Sequence, residues 1–319
     1  MVDFMDKVAR NLQKSFLLFH KIGLKGGLQL LPNHYYSSYA DINYLERNKE
    51  LWAKRSDLPG IKINLKNQVK NLKKICLPFK EEYIGNKVFL GAVKGDCGPG
   101  FGYIEAQALH SIIRYYKPKK IIEIGSGVST YCSLNAIHLN KCDTDYKFNM
   151  TCIEPFPSKK LQLEKKVELI KNDVQKVPLD LFKNLQEGDL LFIDSTHTVK
   201  PGSDVNYLIL EVLPRLQHGV IIHFHDIFFP YDYQRDVLQT FFQWNENSLL
   251  RSYLTYNNTI EILFCLSMLH YEARDALKEV FPEYVPQKDK NGLVDDYYKP
   301  FQKIKEHFPS SIYLKVNKT

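Results

Sequence analysis

From residue 103 onward the chain alternates short apolar runs with amphipathic stretches. "PKKIIEIG", "NMTCIEP", "GDLLFIDS" and "GVIIHFHD" each hold a brief apolar run bounded by polar or turn residues. Such runs suit strands buried on both faces. Between them "STYCSLNAIHL" and "VNYLILEVLPRL" carry helical spacing, and "LQLEKKVELIKND" reads as a helix running into a short strand. In "IEAQALHSIIRYY", Ile104, Ala108, Ile112 and Tyr115 share one helical face. Strands alternating with helices predict a parallel sheet covered on both faces. Beyond Asp226, "QRDVLQTFFQWNENSLLRSYL" predicts a long helical segment, "TIEILFCL" a strand, "YEARDALKEVF" a helix and "SSIYLKV" a last strand.

The first 98 residues follow a different pattern. "DINYLERNKELWAKR" has helical spacing with a charged face, and "SDLPG" ends it with turn chemistry. "IKINLKNQVKNLKKIC" predicts a second basic amphipathic helix. The apolar stretch "SFLLFHKIGLKGGLQLLP" is interrupted by His20, Lys21 and Lys25. It is too polar for a membrane span, lacks a signal-cleavage pattern and suits an amphipathic surface helix. The Gly-rich "GDCGPGFG" marks the expected boundary. Residues 1–98 are thus expected to form a basic, helix-containing leader that closes over the main domain as a lid, and residues 99–319 the α/β domain.

Composition sets outer limits. With 319 residues, 44% hydrophobic and 25% charged, the chain can bury a sizeable core without staples. Its six cysteines form no CxxC pair and no zinc-like spacing. They read as reduced thiols, and a cytoplasmic protein is expected. The net charge of +7 is uneven: residues 1–80 hold 15 Lys and Arg against 6 Asp and Glu, and the remainder is slightly acidic. The plainer reading is a solvated helical face. The sharper one is a basic surface for an anionic substrate or peripheral membrane contact. No aromatic-interleaved RNA motif or zinc finger occurs, so no nucleic-acid partner is expected. A homo-oligomer stays open.

The strongest motif is "IIEIGSGVST", an apolar strand leading through Gly125, Ser126 and Gly127 into a helix. Glycines there let backbone approach a ligand, and the helix N-terminus offers free N–H groups. A dinucleotide fingerprint would need glycine where Thr130 stands. That favours a nucleoside-type ligand over a pyrophosphate. Glu154 ends the next strand, where a carboxylate accepts hydrogen bonds from both ribose hydroxyls. Asp173 follows the third strand, within reach of an adenine amino group. Asp194 ends the fourth, with His197 behind it, and the fifth delivers His223, His225 and Asp226.

These segments, with "GDLLFIDSTHTVKPGSDVNYLILEVLPRLQHGVIIHFHDIF" and "WNENSLLRSYLTYNNTIEILF", resemble bacterial class I S-adenosylmethionine-dependent methyltransferases of the methyltransferase family 24 type. The resemblance spans roughly residues 30–317. It implies a Rossmann-like, seven-stranded, mostly parallel α/β sheet whose last two strands are "TIEILFCL" and "SSIYLKV". It implies S-adenosylmethionine as cofactor, with Glu123, Gly125, Ser126, Gly127 and Ser129 in the first cofactor loop. Glu154 would hold the ribose, Asp173 would lie near the adenine and Asp194 by the methionine end.

Methyl transfer to an alcohol needs a base or a metal that acidifies the acceptor. His225 and His197 are the candidate bases, oriented by Asp194 or Asp226. Asp194, His225 and Asp226 are the candidate ligands of a divalent metal. His223, deeper in the strand, reads as a core histidine. Aromatics at 228–233, Tyr103 and Trp244 are candidate walls for a small-molecule or sugar-like acceptor. Two other readings stay open: a nicotinamide-dependent oxidoreductase on a similar sheet, and a non-catalytic cofactor-binding or peripheral surface protein.

Overall fold

Seven of the apolar runs are strands of one sheet in the computed structural model. They are β1 (Lys120–Ile124), β2 (Asn149–Ile153), β3 (Glu168–Ile170), β4 (Leu190–Ile193), β5 (Ile221–Phe224), β6 (Ile260–Cys265) and β7 (Ile312–Val316). The structure describes residues 2–29, 31, 33, 35–95, 97, 100–143, 145–240, 242–294 and 306–317, with side chains from residue 14 onward. The strand order is β3-β2-β1-β4-β5-β7-β6. β1 to β5 run parallel, and β7 is antiparallel to both of its neighbours. The sheet is therefore mostly parallel, as expected, and its order reverses between β1 and β4.

The apolar runs alternate between two cores. Ile121, Leu190, Phe192, Ile221 and Tyr313 face one cluster. Ile122, Ile124, Leu191, Ile193, Ile222, Phe224 and Leu314 face the other. Period-two geometry thus turns each run into two buried faces. The register also aligns a row across the sheet: Cys152, Glu123, Phe192, His223, Tyr313 and Phe264. That row puts two polar groups, Glu123 and His223, inside the first cluster.

By its contacts the chain divides into Met1–Trp52 and Ala53–Thr319. The first unit holds α1 (Val2–Lys25), α2 (Ile42–Arg47) and α3 (Lys49–Trp52). The single helix expected over residues 41–55 is interrupted at Asn48, whose side-chain amide donates to the Tyr44 carbonyl at 2.8 Å. Asp41 caps α2 by accepting from the Asn43 and Tyr44 N–H groups.

The second unit opens with α4 (Leu65–Cys76), α5 (Lys80–Tyr83), α6 (Lys87–Lys94) and α7 (Tyr103–Tyr116). Leu72, Ile75, Cys76 and Tyr83 are buried in the same cluster as Leu109, Ile112 and Tyr313. Gln68 Oε1 accepts from Cys265 N at 3.0 Å, and Tyr83 Oη donates to the Val280 carbonyl at 2.9 Å. The boundary expected at residue 98 therefore lies inside this unit. Residues 65–94 form a layer over one face of the sheet, because their apolar stripes have α7 and the sheet to bury against. None of the described residues among 53–98 lines the crevice described below.

After β1 come α8 (Val128–Asp143), then α9 (Lys159–Leu163) and α10 (Leu179–Lys183). The "VNYLILEVLPRL" stretch is helical, starting as α11 (Asp204–Asn206) and continuing as a π-turn over Tyr207–Val212. The long helix expected from Gln234 does not form over its first part: among the described residues of 234–254 the helix is α12 (Glu246–Leu254). Residues 234–240 form turns, held partly by Gln234, whose side-chain oxygen accepts from Trp244 N at 2.6 Å. The "YEARDALKEVF" region is two short helices, α13 (Leu266–Glu272) and α14 (Arg274–Val280). All six cysteines are free.

Candidate active site

Each central strand hands the chain on through one more ladder bond. Glu154 N donates to the Ile170 carbonyl, Gly125 N to Ile153, Asp194 N to Ile124 and His225 N to Ile193. Four of the expected site residues thus stand in a row along the carboxyl edge of the sheet. In an open parallel sheet the crevice forms where strand order reverses, here between Gly125 and Asp194. Gly125 has φ +82°, and a Cβ there would meet the Asp194 carbonyl oxygen at 2.0 Å. Only glycine lets the two strand ends come so close.

A cavity of about 370 Å³ opens at this point, lined by Gly125, Glu154, Phe156, Asp173, Gln175 and Asp194 among others. It brings together four of the residues expected around a nucleoside-type ligand: Gly125, Glu154, Asp173 and Asp194. Two buried polar atoms on its wall, Ser195 Oγ and Gln175 Oε1, have no hydrogen-bond partner among the described residues. Unpaired buried polar groups are costly, so this wall suits a polar ligand. Ser126 Oγ lies 3.5 Å from Glu154 Oε2, and Asp173 pairs with Lys176 at 2.6 Å.

Glu123, Ser126, Gly127 and Ser129 are not among the lining residues. Glu123 is fully buried, and its carboxyl accepts from Ser129 Oγ and Thr130 Oγ1, both at 2.7 Å, and from Cys152 Sγ at 3.1 Å. The Gly127 N–H in turn donates to Thr130 Oγ1 at 3.1 Å. Glu123 therefore braces the start of α8 from beneath the loop. Burial pushes its carboxyl up to about 7, against the opposing hydrogen bonds of Ser129, Thr130 and Cys152. Thr130, standing where a dinucleotide fingerprint has glycine, is a working part of that brace.

Beyond Asp194 lies the ionisable cluster. His197 has φ +58° and Asp226 φ +55°, and these left-handed turns bring both side chains back over the strand ends. His197 Nε2 lies 3.5 Å from Asp194 Oδ1 and 3.6 Å from Asp226 Oδ2. Its Nδ1 lies 2.8 Å from Glu246 Oε2 at the start of α12. Burial lowers the imidazole, but the Asp194, Glu246 and Asp226 carboxylates outweigh it and hold His197 well above its ordinary value. Asp194 is raised by burial, yet His225 and His197 hold it below the usual carboxylate range.

His225 occupies a neighbouring position. Its Nδ1 lies 3.2 Å from Ser311 Oγ, its Nε2 3.6 Å from Asp226 Oδ1, and its ring packs against Phe101 at 4.9 Å. Burial depresses it, but Asp226, Asp194 and Glu105 raise it further. His223 is the expected core histidine. It stacks between Phe192 at 4.4 Å and Tyr313 at 4.1 Å, with Nε2 2.9 Å from the same Ser311 Oγ.

Asp194, His197 and Asp226 have ligand atoms all within 4.8 Å of one another. This grouping differs from the expected metal set, in which His225 stood in place of His197. The strand's alternation keeps His225 on the face of His223, where Ser311 and Phe101 hold it. Separations of 3.5 and 3.6 Å are longer than hydrogen bonds. They match ligands about 3–4 Å apart around an ion of about 2.1 Å bond length. Glu246 supplies the carboxylate that orients a ligating histidine. The residues present thus fit a divalent ion.

Several members of the site carry no signal in the sequence. Glu246 sits inside "WNENSLL" and Glu105 inside an apolar helix. Glu105 accepts from Ser310 N at 2.8 Å and contacts His307 Nε2 at 2.6 Å, while Ser310 Oγ donates to Asp226 Oδ1 at 2.8 Å. Ser310 and Ser311 precede β7, so the antiparallel strand supports the cluster from below. Trp244 packs on His197 at 4.5 Å and Tyr103 on His307 at 4.4 Å.

Residues 122–227 match the family described as "Methyltransferase domain". An uncharacterized protein of Archaeoglobus fulgidus is 31% identical over 189 residues, which cover 55% of this chain and 83% of that protein. Among solved structures, an SAH-bound Podospora anserina methyltransferase shares 19% identity, with 73% of this chain and 92% of that chain covered and a TM-score of 0.36. An O-methyltransferase of Bacillus cereus in complex with SAH shares 12% identity, covering 61% and 90%, with a TM-score of 0.36. A Streptomyces achromogenes O-methyltransferase of tomaymycin synthesis, in complex with SAM, shares 14% identity, covering 63% and 82%, with a TM-score of 0.37.

Proposed function

The chain belongs to the methyltransferase-domain family that its residues 122–227 match, and we propose that it is a class I S-adenosylmethionine-dependent enzyme that methylates a hydroxyl of a small-molecule or sugar-like acceptor at the Asp194–His197–Asp226 cluster. One observation carries this reading. Asp194 both lines the nucleoside-sized cavity and stands 3.5 Å from His197 Nε2. A methyl donor held in the cavity would present its reactive end to the cluster.

Glu154 would hold the ribose hydroxyls, and Gln175 and Ser195 would take up polar edges of the donor. The donor supplies an electrophilic methyl group when bound. Glu123, Ser129 and Thr130 hold the loop that shapes this half of the crevice. Pre-organisation of this kind lowers the cost of alignment.

On the acceptor side, Asp194, His197 and Asp226 would hold a divalent ion, which when bound supplies a Lewis acid for the acceptor oxygen. The raised His197 favours this over simple base catalysis. An imidazole already carrying its proton at neutral pH accepts no other. His225 is raised in the same direction by Asp226, Asp194 and Glu105, so it would steady negative charge on the acceptor oxygen, whose proton would leave to bulk water as the acceptor binds. Phe101 packs on His225 and Trp244 on His197, and the two rings would wall this side of the crevice.

The test is calorimetric titration of metal-stripped protein with S-adenosylhomocysteine, followed by Mn²⁺. Micromolar binding of the first, lost in Glu154→Ala, and binding of the second, lost in His197→Ala, are expected. Folded protein that binds neither overturns the reading. Transfer of a labelled methyl group to hydroxyl acceptors that is insensitive to chelator would overturn its metal half alone.

A further inference from the structure

Helix α1 (Val2–Lys25) belongs to the first unit of the chain and carries apolar side chains that nothing there buries. Phe16 is 40% exposed, Phe19 65% and Ile22 56%, and these three share one helical face. The sequence extends the same spacing backward through Leu12, Val8 and Phe4. Leu17 and Leu24, on another side of the helix, are also more than half exposed. Isolated exposed apolar residues are ordinary, but a contiguous patch of this kind marks an interaction surface.

Beyond Asp3 and Asp6 in the first turns of the helix, the charge around this patch has one sign. Residues 7–40 contain Lys7, Arg10, Lys14, Lys21 and Lys25 and no acidic residue. Lys14 and Lys21 fall two helical turns apart, away from the Phe19 face. No helix among the described residues is long and apolar enough to cross a membrane. An interfacial helix combines these features: an apolar face, basic residues beside it and low overall hydrophobicity.

We propose that α1 docks this protein on an anionic lipid bilayer, with Phe16, Phe19 and Ile22 in the acyl boundary and the lysines at the headgroups. A second copy of the chain fits the same surface less well. A helix–helix seam covers a single stripe, whereas the run Phe16–Phe19 projects apolar groups on several sides. A parallel pairing would also set the two basic series side by side. A bilayer surface takes up apolar groups on either side of the buried face, and lysine stems lie along it while their charges stay in water. The attraction of anionic lipid for juxtaposed basic residues supplies the rest. This inference is independent of the acceptor proposed above.

Co-sedimentation of the full chain with vesicles tests it, comparing phosphatidylcholine alone with phosphatidylcholine containing phosphatidylglycerol. Binding to the anionic vesicles should be at least ~10-fold tighter and should weaken in high salt. Phe19→Asp combined with Ile22→Asp should abolish it, and Lys14→Glu combined with Lys21→Glu should remove the preference for anionic lipid. S-adenosylhomocysteine binding by each variant reports separately that the second unit is folded. Equal binding to both vesicle types, or binding unchanged in the aspartate variant, overturns the proposal. So does a concentration-dependent dimer that the aspartate variant dissolves without any vesicle binding by the parent, since the face would then join two copies.

Discussion

His197 and Glu246 are 49 positions apart, yet Nδ1 of one lies 2.8 Å from Oε2 of the other. Both are buried, and the His197 carbonyl also accepts from the N–H groups of Asn245 and Glu246. The first turn of α12 is thereby locked to the loop after β4 by side chain and backbone together. The carboxylate fixes which ring nitrogen is free, and that nitrogen faces Asp194 and Asp226.

Glu246→Gln keeps the shape but removes the charge that orients the ring. Mn²⁺ affinity, read by calorimetry, should fall about 10–100-fold. S-adenosylhomocysteine affinity should not change, because Glu246 does not line the cavity. An unaltered Mn²⁺ isotherm would dissociate Glu246 from the metal site.

Proton and metal compete for His197 Nε2. Since the folded protein holds His197 well above its ordinary value, metal-free protein carries that proton at neutral pH. Mn²⁺ affinity should therefore rise with pH and level off only above the raised value. The same shift stabilises the metal-free fold. That contribution is complete below the unfolded value of about 6.5 and is lost as pH climbs through the folded one. Titrations in buffers of different ionisation enthalpy count the released proton. Zero release at pH 7 would contradict an imidazolium there.

Two substitutions separate holding the donor from shaping the crevice. Glu154→Ala should weaken S-adenosylhomocysteine binding about 10–100-fold with little change in stability. Gly125→Ala places a methyl group against the Asp194 carbonyl in a left-handed backbone. It should cost at least about 2 kcal/mol of stability as well as binding. Denaturant melts beside calorimetry would distinguish them, and a fully stable Gly125→Ala would refute the close approach.

Glu123 titrates with the fold. Its carboxyl is lifted by burial from the ordinary carboxylate range to about 7. A raised folded value favours the protonated fold, so this stabilisation is full below about pH 4.5 and lost as pH rises to about 7. The swing amounts to about 3 kcal/mol. Glu123→Gln should flatten the stability profile over that window, measured by urea unfolding at stepped pH. Parallel profiles for the two proteins would exclude Glu123 as the titrating group.

Truncation locates the domain boundary. A chain beginning at Ala53 should unfold cooperatively, while one beginning at residue 99 should not fold. The latter lacks Leu72, Ile75, Cys76, Tyr83 and Val88, all buried in the first cluster. At about 1.5–3 kcal/mol for each large apolar side chain, that loss is comparable with the whole stability of a domain, about 5–15 kcal/mol. Thermal melts of both fragments decide the point, and a cooperative melt of the shorter one would restore the boundary at 98.

The local code of the chain determined the sheet. Apolar runs of four or five residues bounded by Gly, Pro and acids can hardly be anything but buried strands. The acid or glycine closing each run had to emerge at one edge of a parallel sheet. Gly125, Glu154, Asp173 and Asp194 were legible for that reason, and so was His223, whose place inside its strand made it a core residue. Tertiary structure alone decided how the cluster is assembled. His197 and Asp226, candidates already from their place after β4 and β5, enter it through left-handed turns, and Glu246 and Ser310 reach it from α12 and the approach to β7, connections with no local periodicity. Glu123 reads as a loop acid in sequence, but period-two alternation aims it at α8 and away from the crevice. Residues 65–94 read as a basic leader because surface lysines dominate their composition. Their buried stripe shows its role only once α7 and the sheet are there to receive it.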